Sequence, residues 1–84
     1  MYQVVIERRA EKDLDRLSPS IHRRAIESIL ALATDPRPPG CRKLVGGDND
    51  WRIRVGDYRV IYQIGDAVRV VRVHRVRHRR EVYK

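Results

Sequence analysis

The chain has 84 residues, 42% hydrophobic and 36% charged, with a formal charge of +8. That is enough for one small core, and no apolar run approaches the ~20 residues of a membrane span. The single cysteine excludes an internal disulfide and cannot form a metal site alone. One domain over 1–84 and a cytoplasmic location are the expectations. The charge is uneven: residues 1–50 carry 9 Lys/Arg against 8 Asp/Glu, whereas residues 51–84 carry 10 against 3. A positive field confined to one part of a domain suits a polyanionic partner, nucleic acid or an acidic protein segment.

In chain order, YQVVIE (2–7) is short, β-branched and apolar, a first strand. RRAEKDLDRL follows, with Ala10, Leu14 and Leu17 on one stripe of a short helix. Ser18 is placed to cap a second helix with Pro19 at its first position. That helix aligns Ile26, Ile29, Leu30 and Ala33, with Ile21 and Ala25 beside them, and DPRPPG (35–40) ends it. So short a link makes the two helices an antiparallel hairpin. A brief edge strand is expected near Leu44, followed by WRIRV, YRVIYQI and AVRVVRVHRV as three strands of a meander. The order β-α-α-β-β-β predicts an α+β fold. Its N-terminal strand and helical hairpin pack on one face of a curved, mainly antiparallel sheet.

Two turns set the register. Gly56-Asp57 reads as a type II′ hairpin loop, which pairs Val55 with Tyr58 and Arg54 with Arg59. Gly65-Asp66, read as a second two-residue turn, pairs Ile64 with Ala67 and Arg59 with Arg72. Arg54, Arg59 and Arg72 then form a row across three strands, with Arg52 on the same face and His74 opposite Asp57. Like charges directly opposite destabilise a sheet, so the row asks for an anionic partner. Trp51, Tyr58 and Tyr62 fall on the other face, toward the helices. Ile61, Val68 and Val70 leave an apolar patch beside the arginines that an acidic, amphipathic partner segment would cover.

The opening YQVVIERRAEKDLDRL, the KL of 43–44, RIRVGDYRVIYQI and the closing HRREVY (78–83) together resemble the RelE branch of the RelE/ParE toxins of type II toxin–antitoxin systems. The resemblance implies a toxin that enters the ribosome's decoding site and cuts messenger RNA there without a metal or other cofactor. It implies neutralisation by a cognate antitoxin in a hetero-oligomeric complex that binds operator DNA through the antitoxin. It places the family's basic strand residues on Arg52 and Arg54 and its GDYR arginine on Arg59. The C-terminal arginine falls on Arg79, or with a different gap on Arg77, and the C-terminal tyrosine on Tyr83. Arg72, Arg77, His78 and Arg80 are further candidates for RNA contact. A ParE-like inhibitor of DNA gyrase, without nuclease activity, is the alternative on the same scaffold.

Metal-independent cleavage uses the ribose 2′-OH as nucleophile and leaves a 2′,3′-cyclic phosphate and a 5′-OH. Charge collects on the non-bridging phosphate oxygens, where fixed guanidinium groups stabilise it. Arg59, with Arg79 or Arg77, suits that role. Family members often carry lysine where this chain has Arg52 and Arg54, and arginine does not lose its proton in proteins. Those two therefore suit positioning better than base catalysis, which leaves Tyr83 and His78 as proton carriers.

Overall fold

The computed structural model describes residues 1–47 and 49–82. The order is β1 (Gln3–Ile6), α1 (Arg8–Asp15), α2 (Pro19–Ala31), β2 (Arg42–Lys43), β3 (Asp50–Val55), β4 (Tyr58–Gly65), β5 (Val70–His78) and α3 (Arg79–Val82). The strands form one sheet, β1-β5-β4-β3-β2, in which β1 runs parallel to β5 and all other pairs are antiparallel. This is the expected α+β architecture, with the short edge strand beside Leu44 and a C-terminal helical turn that the sequence pattern did not mark. No helix among the described residues is long and apolar enough to cross a membrane.

The helices cover one face. Ala10 and Leu14 of α1 and Ala25 and Ile29 of α2 are buried against Ile53, Val55, Val60, Tyr62, Ile64, Val71, Val73 and Val76. The register of β3 and β4 puts their apolar core residues on one side of the pleat and Arg52, Arg54 and Arg59 on the other. The second helix is rotated slightly from its expected stripe. Leu32 is buried at the helix end, whereas Leu30 is 60% exposed. Ser18 occupies the N-cap position with Pro19 after it, but its side chain makes no capping bond.

The first hairpin has the expected register, Val55 with Tyr58 and Arg54 with Arg59. Gly56 has φ +59°, as the first central residue of a type II′ turn requires. The second hairpin does not. Gly65 pairs with Val70, so Asp66–Arg69 form a four-residue loop, with Arg69 in the left-handed region at φ +55°. Asp66 has another task. Its carboxylate accepts from both terminal nitrogens of Arg37 at 3.1 and 2.9 Å and from the Tyr2 hydroxyl at 2.8 Å. The Arg37 guanidinium also lies 5.0 Å from the centre of the Trp51 ring. This cluster ties the N-terminus and the post-helix loop to the end of the sheet.

A β-bulge adds a second offset. Tyr62 pairs with Val73 but Ile61 pairs with Arg75, leaving His74 as the extra residue. The expected pairing of Arg59 with Arg72 is therefore wrong: Arg72 faces Gln63, and Arg59 faces Arg77. His74 is correspondingly far from Asp57. Beyond Val73, β5 has no strand on its outer side, because β1 ends at Ile6. Asp13 takes over there, its Oδ2 accepting from the Val76 backbone N–H at 2.9 Å and from Arg75 Nε at 2.8 Å. Burial pulls the Asp13 carboxyl upward, but the bonds from Arg75 and Val76 outweigh it and leave the group below its usual range.

Two predictions follow from these contacts. Asp13→Ala strands a buried N–H and a guanidinium, and should lower the unfolding free energy by about 2 kcal/mol in a denaturant titration. The Arg37 guanidinium, followed by the Tyr2 hydroxyl, draws the Asp66 carboxyl down to about 2. A depressed folded-state value stabilises above the unfolded carboxylate's titration, about pH 4, and is lost as pH falls toward 2. Acid unfolding of Asp66→Asn should accordingly show a shallower slope between pH 4 and 2 than the wild type.

Candidate functional site

The face away from the helices carries the basic residues. At one level across three strands stand Arg54, Arg59 and Arg77, joined by the pairs Arg54–Arg59 and Arg59–Arg77. Arg52 lies two residues along β3, opposite Ile61. The odd insertion at His74 reverses the pleat, turning Val76 into the core and Arg77 onto this face. Without the bulge the alternation of β5 would present Val76 here instead.

Arg59 is the unusual member. It is only 2% exposed, and its Nε is buried with no hydrogen-bond partner. One terminal nitrogen donates to the Tyr58 carbonyl at a long 3.4 Å. Among the described residues no carboxylate forms an ion pair with Arg54 or Arg59. Burying a cation without a counter-ion costs stability, so the fold holds this group where it does not favour folding. Arg77 is less isolated: its Nε donates to Glu81 Oε2 at 2.6 Å, and both side chains are partly exposed.

The remaining candidates separate. Arg72 shares the open face but sits four β4 positions from Arg59, roughly 13 Å along the strand. Arg79 opens α3, is exposed, and uses its backbone N–H on the Asp57 carbonyl at 2.8 Å. Arg80 is exposed, and its backbone N–H lies 3.3 Å from His78 Nδ1. His78 meets Tyr58 edge-on at 5.3 Å and lines a small pocket with Leu17 and Arg16 on the helix side. Tyr83 lies outside the described residues. Of the expected apolar patch, Val68 is exposed, and Ile61 and Val70 are half-buried.

A constellation the sequence reading missed lies above the arginine row. His74 Nδ1 is 2.6 Å from Glu7 Oε1, and His74 Nε2 is 3.8 Å from Asp50 Oδ1. The bond from His74 holds the Glu7 carboxyl below its usual range. The three residues are far apart in sequence, and the pairing of β1 and β4 with β5 after a four-residue loop, and of β3 with β4, brings them together. No group of three His, Cys, Asp or Glu residues among those described is arranged to hold a metal ion.

Comparison with known proteins identifies the family and the fold. Residues 4–83 match the profile of the family described as "ParE toxin of type II toxin-antitoxin system, parDE". A Methanocaldococcus jannaschii protein bearing the toxin name RelE1 is 33% identical over 86 residues, covering 99% of this chain and 96% of its own. A chain of the archaeal RelE–RelB complex from Pyrococcus horikoshii OT3 superposes with a TM-score of 0.83 at 31% identity, over 93% of this chain and 94% of that one. The isolated E. coli RelE toxin gives 0.80 at 28%, over 99% and 92%. Fold and relatives together define a small α+β toxin of the type II toxin–antitoxin class. Within it, the chain belongs to the ParE toxin family, on the RelE branch of the RelE/ParE superfamily.

The buried cation makes a prediction that concerns stability. Arg59→Met should raise the unfolding free energy by about 1–2 kcal/mol, because an apolar side chain replaces an unpaired charge. Sulfate should raise the melting temperature of the wild type more than that of Arg59→Met, since an anion that binds the folded state stabilises it.

Proposed function

We propose that this toxin is a metal-independent, ribosome-dependent messenger RNA endonuclease neutralised by a cognate antitoxin. The observation that carries the reading is the Arg54–Arg59–Arg77 row, with Arg59 buried and its Nε unpartnered. An anion placed among these groups relieves both the like-charge pairing and the unmet donor. The scissile phosphate is such an anion, and its charge rises as the 2′-oxygen attacks. Arg59 and Arg77 stabilise the non-bridging oxygens, and Arg54 and Arg52 position the strand. Arg77 takes precedence over Arg79 because the register puts it beside Arg59. Arg79, Arg80 and Arg72 contact flanking RNA, His78 being turned to the helix side, and Tyr83 serves as acid, base or stacking surface.

Access to Arg59 requires a shift of what covers it. The Arg77–Glu81 contact is half-exposed and opens when a phosphate competes for the guanidinium. The antitoxin reading rests on the relatives, several of which are known in RelE–RelB complexes. An acidic antitoxin segment suits the same cationic face. In such a complex the toxin is hetero-oligomeric, and the antitoxin carries any operator-DNA contact. A gyrase-directed toxin is the second reading, favoured by the ParE name of the matching family.

Primer extension on messenger RNA from expressing cells separates the two. Codon-spaced cuts are expected with the wild type, reduced about 10²-fold or more in Arg59→Ala and Arg77→Ala, and retained largely in Arg72→Ala. Stalled replication with intact messages would instead support the gyrase reading.

A further inference from the structure

Arginines cannot donate or accept the proton that the proposed cleavage must move. Two histidines lie near the basic face, and the structure distinguishes them. His78 is turned to the helix side against Tyr58, and its Nδ1 faces the Arg80 backbone N–H. His74 is on the arginine face, partly exposed, with a carboxylate oxygen near each ring nitrogen. Asp50 Oδ1 is buried without a hydrogen-bond partner, and His74 Nε2 lies 3.8 Å from it.

The surroundings of the ring are mixed. Glu7 approaches from the end of β1 and Asp50 from β3, while Gln63 and Ile61 lie between on β4. The cations are Arg72 on β5 and Arg9 on α1, both acting on Glu7, with Arg52 next along β3. A ring between two carboxylates makes its best contacts as an imidazolium, a donor at both nitrogens. His74 is three residues from Arg77, roughly 10 Å along β5. It stands beyond the Arg52–Ile61 level, toward the Asp50 end of the sheet. For the arginines and this ring to act on one phosphate, the RNA has to run along β4 between these levels.

We propose that His74 is the general acid of the cleavage, with Glu7 and Asp50 as positioning residues; this rests on the nuclease reading above. In the step, the ribose O2′ bonds to phosphorus and gives its proton to water as the P–O5′ bond breaks. His74 Nε2–H transfers its proton to O5′, producing the 5′-OH, and the ring regains a proton from solvent. The arginines hold the phosphate throughout and transfer nothing.

The test is single-turnover cutting of ribosome-bound message from pH 6 to 9 by wild type, His74→Gln and Glu7→Gln. The wild-type rate should fall at high pH as the ring loses its proton. His74→Gln should cut about 10²-fold more slowly with that limb absent. Glu7→Gln removes a neighbouring negative charge, so its limb should move to lower pH, which a purely structural carboxylate would not cause. Nitrogen-15 shifts of the wild-type ring supply a reading independent of any variant's folding. Protons on both nitrogens at the pH of maximal rate are expected, and a ring without a proton on Nε2 overturns the assignment. Cutting by the wild type with His74→Gln inside twofold of it overturns the histidine alone. No cutting by wild type at any pH overturns the nuclease reading, and the histidine's role with it.

Discussion

The Asp13 carboxylate is the contact on which the arrangement of the basic face depends. β1 is too short to accompany β5 to its end, and the uncovered part of β5 would present open backbone groups at a sheet edge. Asp13 completes that edge from α1 by accepting from the Val76 N–H, and the same oxygen takes the Arg75 guanidinium. The bulged strand is thereby locked to the helix layer immediately after its extra residue. That lock determines which side chains follow on each face. Val76 enters the core, and Arg77 comes to stand beside Arg59. A carboxylate on the helix side of the molecule thus sets the geometry of the basic face.

The residues divide by how local their determinants are. Gly56-Asp57 specifies its hairpin from two positions, and the pairing of Arg54 with Arg59 was readable for that reason. The β-α-α-β-β-β order was equally readable, because apolar periodicity changes with each element. Gly65-Asp66 looks like the same device and is not, because Asp66 is drawn away by Arg37 and Tyr2, remote in sequence. The His74 bulge has no local mark either: VVRVHRVRH alternates well enough to pass for a regular strand. Both errors fell on one hairpin and moved the partner of Arg59 from Arg72 to Arg77. The Glu7–His74–Asp50 group was hidden by the same offset. The family resemblance leaves Arg77 and Arg79 open, and of the two it is Arg77 that pairs with Arg59 in the sheet.

The basic face also shows how function and stability diverge in a small domain. Arg75 and Arg77 are alternate residues of one strand, yet the first is satisfied by a buried carboxylate and the second by a half-exposed one. Arg59, between strands, has neither. An 84-residue fold has little stability in reserve, and an unpaired buried cation reduces it further. Pairing is strongest where a charge serves architecture and weakest where the proposed chemistry needs it available.

The parallel pairing of β1 with β5 has a consequence in time. Residues 3–6 find their hydrogen-bond partners only at 70–73, so the strand made first must wait for nearly the whole chain before it can dock. Such long-range closure is slow compared with forming helices and tight turns. A polypeptide emerging from its ribosome has α1 and α2 well before it has a finished sheet, and during that interval Arg59 and Arg77 are not yet neighbours. The basic row is therefore among the last features of the fold to be assembled.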